Sequence, residues 1–321
     1  MKQKKTHLAV FAVALVALVT FVTLVSRTGY GQSQTEGQSA AKPVLQPMAL
    51  VEKRPTALPA STSEKKSTSL FAEAAARNTV LKYELSWAFG GKQQRGWYLY
   101  TSLISRLLET EGEAAGSDFA SALSRWQTAA GLSPSGVLDD ETLYRMVSTW
   151  QGARLKNKEY ATPDRLLQAP TSDFYDPTRA DALRQVERET YAAYKRMIAA
   201  AAADSSLGLK VTASGELAPE EKFLKIVSSF RSREHQAALR AQSPGSGRAG
   251  LAVNSPHFTG RALDLYVGGE PVETKDSNRA LQVQTPAYRW LVRNAERFGF
   301  RPYYYEPWHW EYVGTDAAAT K

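Results

Sequence analysis

The sequence predicts an α+β protein in which a small all-α unit comes first and a unit mixing strands and helices follows. Three observations carry this. Between Ser117 and Val147, apolar residues recur at helical spacing on both sides of a turn. Leu224–Ser232 and Ala262–Val267 alternate with the period of a strand, as do Trp308, Trp310 and Tyr312. Between them, TPAYRWLVRNAERFGF opens on the helix-start pair Thr285 and Pro286 and stops at Gly299. A chain of 321 residues has room for about two domains plus tails.

Taken in order, the chain begins with Leu8–Val25, roughly 18 residues without a charge behind Lys2, Lys4 and Lys5. That length suits a spanning helix better than the shorter apolar core of a signal peptide, and SRTGYGQ lacks a small-x-small cleavage site. We expect residues 1–30 to be an uncleaved signal anchor rather than a removed signal peptide, with the lysines on the cytoplasmic side and the rest of the chain outside. Residues 31–69 are rich in Ser, Thr, Gln, Pro, Lys and Ala and nearly devoid of aromatics, which predicts a disordered tether. The chain has no cysteine, so disulfides, thiolate metal sites, a cysteine nucleophile and a lipidated N-terminal cysteine are all excluded. Any metal must be held by carboxylates and the four histidines, of which His7 borders the apolar segment. Lys+Arg 40 against Asp+Glu 32, a net charge of +8, favours anionic surroundings such as envelope polymers or headgroups. The excess is scattered rather than gathered in a stripe, which argues against nucleic acid.

In the all-α unit, residues 70–160, Phe119, Leu123 and Trp126 share one helical face. LSPSG then breaks the helix, and Asp139 or Asp140 can cap a second one carrying Leu143 and Met146. The run Trp126-Gln127, Gly131-Leu132, Ser135-Gly136, Thr142-Leu143 resembles the signature of the small helical peptidoglycan-binding domain, with Ser135 where that family has aspartate. The resemblance implies wall binding; an ordinary helical hairpin core is the alternative. In the second unit, residues 171–314, Asp176 and Pro177 look like a helix start. Leu183, Val186, Ala193, Tyr194 and Met197 then predict one long amphipathic helix. Residues 315–321 form a tail.

The chemistry lies in three later segments. Arg231 ends the Leu224–Ser232 strand. Ala262, Asp264 and Tyr266 share one face of the next strand, where an aspartate runs against propensity and, if buried, needs a partner. His257 and Asp264 are an odd seven positions apart, on opposite faces of any continuous strand. They converge only if the chain folds back between them, which Gly260 permits and Pro256 helps to fix; a capped turn leading into a strand stays open as the other reading. Glu306 and His309 stand three apart in an alternating aromatic strand, so Pro307 must bend or bulge it for both to face one way. Together His257, Asp264 and His309 make two imidazoles and a carboxylate, a set suited to catalytic zinc with one position open to water, and Glu306 is near enough in sequence to reach that water.

SPHFTGRALD fits the pattern SxHxxGxAxD, EPWH fits ExxH, and FRSREHQ is similar to YRSxxxQ with Phe230 for tyrosine. By these motifs Glu216–Gly314 resembles the VanY-type D-alanyl-D-alanine carboxypeptidases, zinc peptidases related to lysostaphin and to the hedgehog signalling domain. The resemblance implies a small antiparallel sheet with flanking helices and zinc on His257, Asp264 and His309. Glu306 would be the general base that activates water and then protonates the leaving amine, and Arg231 would stabilise the oxyanion or the substrate carboxylate. It also implies substrate contacts from Ser255 and Gln236; among the aromatics Tyr303, Tyr304, Tyr305, Trp308 and Trp310, which are expected chiefly to pack the sheet, Trp308 is a further candidate for the substrate cleft. Residues 241–253 and 268–284 read as loop insertions, and His235, in a charged run, as a solvated surface residue. The implied activity is trimming of peptidoglycan stem peptides by a monomer in the bacterial envelope, outside the cytoplasm and anchored to the inner membrane through the N-terminal helix. A peptidoglycan endopeptidase cutting crosslinks or the L-Ala to D-Glu bond, and a non-catalytic zinc-containing wall-binding protein, are the alternatives.

Overall fold

The computed structural model describes residues 62–242 and 255–315. The expected anchor at Leu8–Val25, the tether up to residue 61, nearly all of the 241–253 insertion and the tail after Thr315 lie outside the described residues. Among those described, no helix is long and apolar enough to cross a membrane. They form eight α-helices and eight short strands, an α+β arrangement as expected.

The first helix, α1 (Thr62–Glu84), begins inside the stretch expected to be a tether and runs on through the alanine-rich segment Leu70–Asn78, which favours a helix. It packs on α3 (Ser117–Ala129), and α4 (Asp140–Gly152) follows with Asp139 as its cap, accepting the Thr142 N–H at 2.9 Å. Two buried amides hold the turn between α3 and α4. Asn78 donates to the Gly136 carbonyl and accepts from Leu138 N–H, each at 2.8 Å, and Gln127 donates to Val137 O while accepting Gly136 N–H, each at 2.9 Å. Gly136 has φ +68, and a Cβ there would meet the Ala120 carbonyl at 2.8 Å. Gln127 and Gly136, two residues of the run that resembles a peptidoglycan-binding signature, therefore fold the turn. The expected all-α unit also contains a hairpin, β1 (Ser86–Phe89) and β2 (Lys92–Arg95), followed by α2 (Thr101–Leu107). Gly90 and Gly91 form its two-residue turn, both with positive φ.

The long helix expected from Asp176 is not formed. Asp176 instead accepts the Thr178 N–H in a local turn at 2.9 Å, and Val186 pairs with Leu167 in a second hairpin, β3 (Leu166–Gln168) with β4 (Gln185–Glu187). Val186 fits a strand as well as a helix, and the pairing decides between them. Helix α5 (Arg188–Ala202) starts only after Glu187, whose carboxylate caps it by accepting from the N–H and hydroxyl of Thr190 at 2.9 and 2.7 Å.

The main sheet has four antiparallel strands in the order β5 (Ile226–Ser228), β6 (Ala262–Leu265), β8 (Glu306–Tyr312), β7 (Phe300–Tyr303). β5 is shorter than its alternation predicts, because Leu224 takes φ +66 and Phe230 N–H leaves the sheet for the Gln185 carbonyl at 3.0 Å. Helix α6 (Arg233–Gln242) follows β5. The expected loop 268–284 contains helix α7 (Asp276–Gln282), and α8 (Pro286–Asn294) starts at its Thr285 cap, with Gly299 closing the 3-10 turn that follows, as expected. One continuous hydrophobic core takes in Trp97, Ile104, Phe119 and Leu143 from the first unit and Leu263, Trp308 and Trp310 from the sheet. The helical unit therefore packs directly on the sheet.

Gly260 ends the 3-10 turn Pro256–Thr259 with φ +68, where a Cβ would sit 2.9 Å from both Glu187 N and Leu166 Cδ2. Gly260→Ala forces both a disfavoured dihedral and a backbone clash, and we expect a loss of about 2 kcal/mol. Urea unfolding checks this, and an unchanged midpoint would mean that the turn relaxes freely.

Candidate metal centre

Cross-strand pairing builds the site. Asp264 on β6 lies opposite His309 on β8, and Ala262 lies opposite Glu311, so Asp264, His309 and Glu311 project from one face. His257 arrives from the 3-10 turn before β6, where Ser255 caps it by accepting the His257 N–H at 3.3 Å. The turn folds back at Gly260, so the odd spacing does not separate His257 from Asp264. One ligand atom each from His257, Asp264 and His309 lie within 4.8 Å of one another, all buried.

The tautomers follow from the partners. His257 Nδ1–H donates to the Ser229 carbonyl at 2.7 Å, which leaves Nε2 facing Asp264 Oδ2 at 3.3 Å. Burial, with Arg231 close by, pushes His257 down to about 4, so its ring is neutral at pH 7 and Nε2 presents a bare lone pair. A lone pair and a carboxylate oxygen facing each other repel unless a cation lies between them. His309 meets Asp264 Oδ1 through Nδ1 at 2.9 Å and Glu311 Oε1 through Nε2 at 3.2 Å. Burial works against the imidazolium, but the hydrogen bonds to Asp264 and Glu311 outweigh it and push His309 up to about 9. Burial would raise Asp264 too, yet the two imidazoles hold it well below the usual carboxylate range. Neighbouring ligands around tetrahedral zinc stand about 3.4 Å apart, given bonds of about 2.1 Å, and the 2.9 and 3.3 Å separations here are close to that. Each imidazole also has its far nitrogen tied to an acceptor, the arrangement that orients metal ligands. The three residues fit a divalent cation such as zinc.

Glu306 begins β8. The β7–β8 register breaks there: Tyr303 pairs with Glu306 but Pro302 pairs with Trp310, so Pro307, Trp308 and His309 have no β7 partner. This bulge is the bend that EPWH required. Burial pushes Glu306 up to about 7; His309, Arg154 and Arg231 pull it down and Asp264 adds to the rise. Its carboxylate makes no hydrogen bond among the described residues.

The other predicted residues divide. Arg231 is buried and points at the site, donating to Asp264 Oδ2 at 2.9 Å and to Ser228 Oγ at 3.1 Å. Gln236 is buried with neither amide atom partnered among the described residues. Ser255 spends its hydroxyl on the cap. Trp308 is 1% exposed and belongs to the core, because alternation puts it and Trp310 on the face opposite His309, so it offers no surface to a substrate. His235, expected to be solvated, is half-buried, and burial with Arg231 and Arg179 close by lowers its pKa. The sequence reading missed Ser229, Arg179, Glu311 and Arg154. Glu311 was within reach, since i and i+2 share a face of a strand and it follows His309.

Residues 183–315 match the family model described as VanY, D-alanyl-D-alanine carboxypeptidase. This segment is a VanY domain. It spans the whole four-stranded sheet and all three candidate ligands. No curated protein matches the chain. Domains of this family are peptidases of the carboxypeptidase type, and an α+β VanY domain accords with the sheet and helices above.

Loading the VanY domain with zinc must displace the proton that His309 Nδ1 carries below about pH 9. Calorimetry at pH 7 in two buffers of different ionisation enthalpy should therefore record release of at least about one proton per zinc. No release would mean that His309 is not a ligand.

Proposed function

We propose that the chain is a zinc-dependent D-Ala-D-Ala carboxypeptidase that trims peptidoglycan stem peptides outside the cytoplasm. The observation that carries this is the convergence of His257, Asp264 and His309 within 4.8 Å, inside a VanY domain and next to a buried glutamate free of hydrogen bonds among the described residues. Bound there, a zinc ion supplies Lewis acidity toward water and the scissile carbonyl.

The chain's own residues do the rest. Glu306 takes the proton of the attacking water as its oxygen bonds to the carbonyl carbon. When the C–N bond breaks, Glu306 returns that proton to the leaving amine, so water is consumed and D-alanine and a shortened stem are formed. Burial that lifts Glu306 toward 7 suits it to both transfers, because a base near the working pH also makes a competent acid. Arg231 presents positive charge beside Asp264, where negative charge develops on the carbonyl oxygen. The unpartnered amide of Gln236 suits hydrogen bonding to the substrate backbone. The apolar stretch Leu8–Val25 would hold the enzyme at the membrane, facing its substrate.

Incubating muropeptides with the zinc-loaded chain should release a single terminal D-alanine, read by mass spectrometry. Glu306→Gln should keep fold and zinc but lower turnover by about 10²- to 10⁴-fold. A split stem or dimer would move the activity to an endopeptidase, and full turnover in the variant would remove Glu306 from the mechanism.

The pH profile follows from the same residue. Glu306 is a base only when ionised, so activity falls as pH drops through its pKa, and a nearby cation can only lower that value from about 7. We expect the acid limb of kcat/KM at or below about pH 7; a limb clearly above it would belong to another group.

A further inference from the structure

We propose that Arg154, which precedes the matched VanY segment, is a positioning residue for His309 and acts through Glu311. The metal site is then completed by the helical part of the chain. This rests on the zinc reading above.

Glu311 is 0% exposed, and both its oxygens are engaged. Oε1 accepts from Arg154 Nε at 3.1 Å and from a second Arg154 nitrogen, while Oε2 accepts the Leu155 N–H at 2.9 Å. The same Oε1 receives His309 Nε2–H at 3.2 Å. Arg154 is itself fixed: its Nη1 donates to Gln151 Oε1 at 2.9 Å, and its guanidinium lies 4.0 Å over the Tyr303 ring of β7. A planar fork held by an aromatic face and a helix end is suited to holding one carboxylate in one orientation. That carboxylate in turn fixes the plane of the imidazole whose other nitrogen faces Asp264. Arg154 and Leu155 follow the C-cap Ala153 of α4, so the end of the helical unit sits behind the ligand. Arg231 braces the opposite side through Asp264, from within the VanY domain.

The helical unit meets the sheet domain elsewhere as well, for example where Tyr100 accepts from Arg279 at 3.1 Å and where Phe89 packs on Tyr304. These contacts supply the control. Zinc affinity of the full chain is measured by competition with a chromogenic chelator, alongside the absorption spectrum of the cobalt-loaded protein, for Arg154→Ala, Glu311→Gln, the double variant and Tyr100→Phe. Arg154→Ala should weaken zinc binding by about 10- to 100-fold and shift the cobalt bands. In the Glu311→Gln background the same change should cost nothing further, and Tyr100→Phe should bind zinc like the wild type. Unchanged affinity in Arg154→Ala, an equal loss in the Glu311→Gln background, or an equal loss in Tyr100→Phe each overturns the proposal. If Arg154→Ala does not fold, Arg154→Gln, which keeps a donor but loses the fork, is read in the same way. A wild-type chain that binds zinc no better than His257→Ala overturns the zinc reading and this inference together, whereas unchanged binding in Arg154→Ala overturns the inference alone.

Discussion

The site depends on the register of β6 against β8. With Asp264 opposite His309, a carboxylate and an imidazole meet on one face, and Trp308 and Trp310 go to the other. A slip of one residue would exchange these sets, placing two indoles at the metal face and a histidine and a glutamate in the core. The cost of burying those polar groups without partners is what makes the register unambiguous. The same alternation that packs the core thus aims the ligands, so folding the sheet and building the site are a single event.

The bulge on the β7 side is the necessary exception. A regular β8 would point Glu306 away from His309, and the proposed base would be lost to the opposite face. Pro307 has no N–H to give the ladder, so the three unpaired residues after Glu306 leave one fewer donor unmet than any other sequence would. Gly260 makes a comparable departure before β6, letting His257 double back over Asp264 while its own carbonyl accepts the Glu187 N–H at 3.2 Å. Irregular backbone at these two points brings together side chains that regular strands would separate.

The candidate ligand set was legible because its chemistry is rare in this chain: four histidines and an aspartate in a strand leave few ways to satisfy a buried carboxylate. The bend at Pro307 followed from spacing, and the caps at Asp139 and Thr285 from residue type. Other features depended on partners distant in sequence. Val186 fitted both a helix and a strand until β3 paired with it. The β1–β2 hairpin did carry a signal, the Gly90-Gly91 turn, but the all-polar KQQR of its second strand gives no alternation to support it. Arg154 meets Glu311 across 157 positions, and nothing local to either residue announces the contact.

The charges of the site single out one carboxylate among the described residues. Arg231 faces Asp264, and Arg154 clamps Glu311, so two arginines balance the two acids that hold the imidazoles. Glu306 has no such ion pair among the described residues, and burial raises it toward 7 while Glu311, also buried but held by His309 and Arg154, stays down at about 2. The contrast between two glutamates five positions apart on one strand comes from their partners, since burial acts on both in the same direction. Without a metal, the proton on His309 is the remaining positive charge facing Asp264. A divalent cation in its place would add charge that Glu306 would balance by ionising, which would couple loading of the site to readiness of the proposed base.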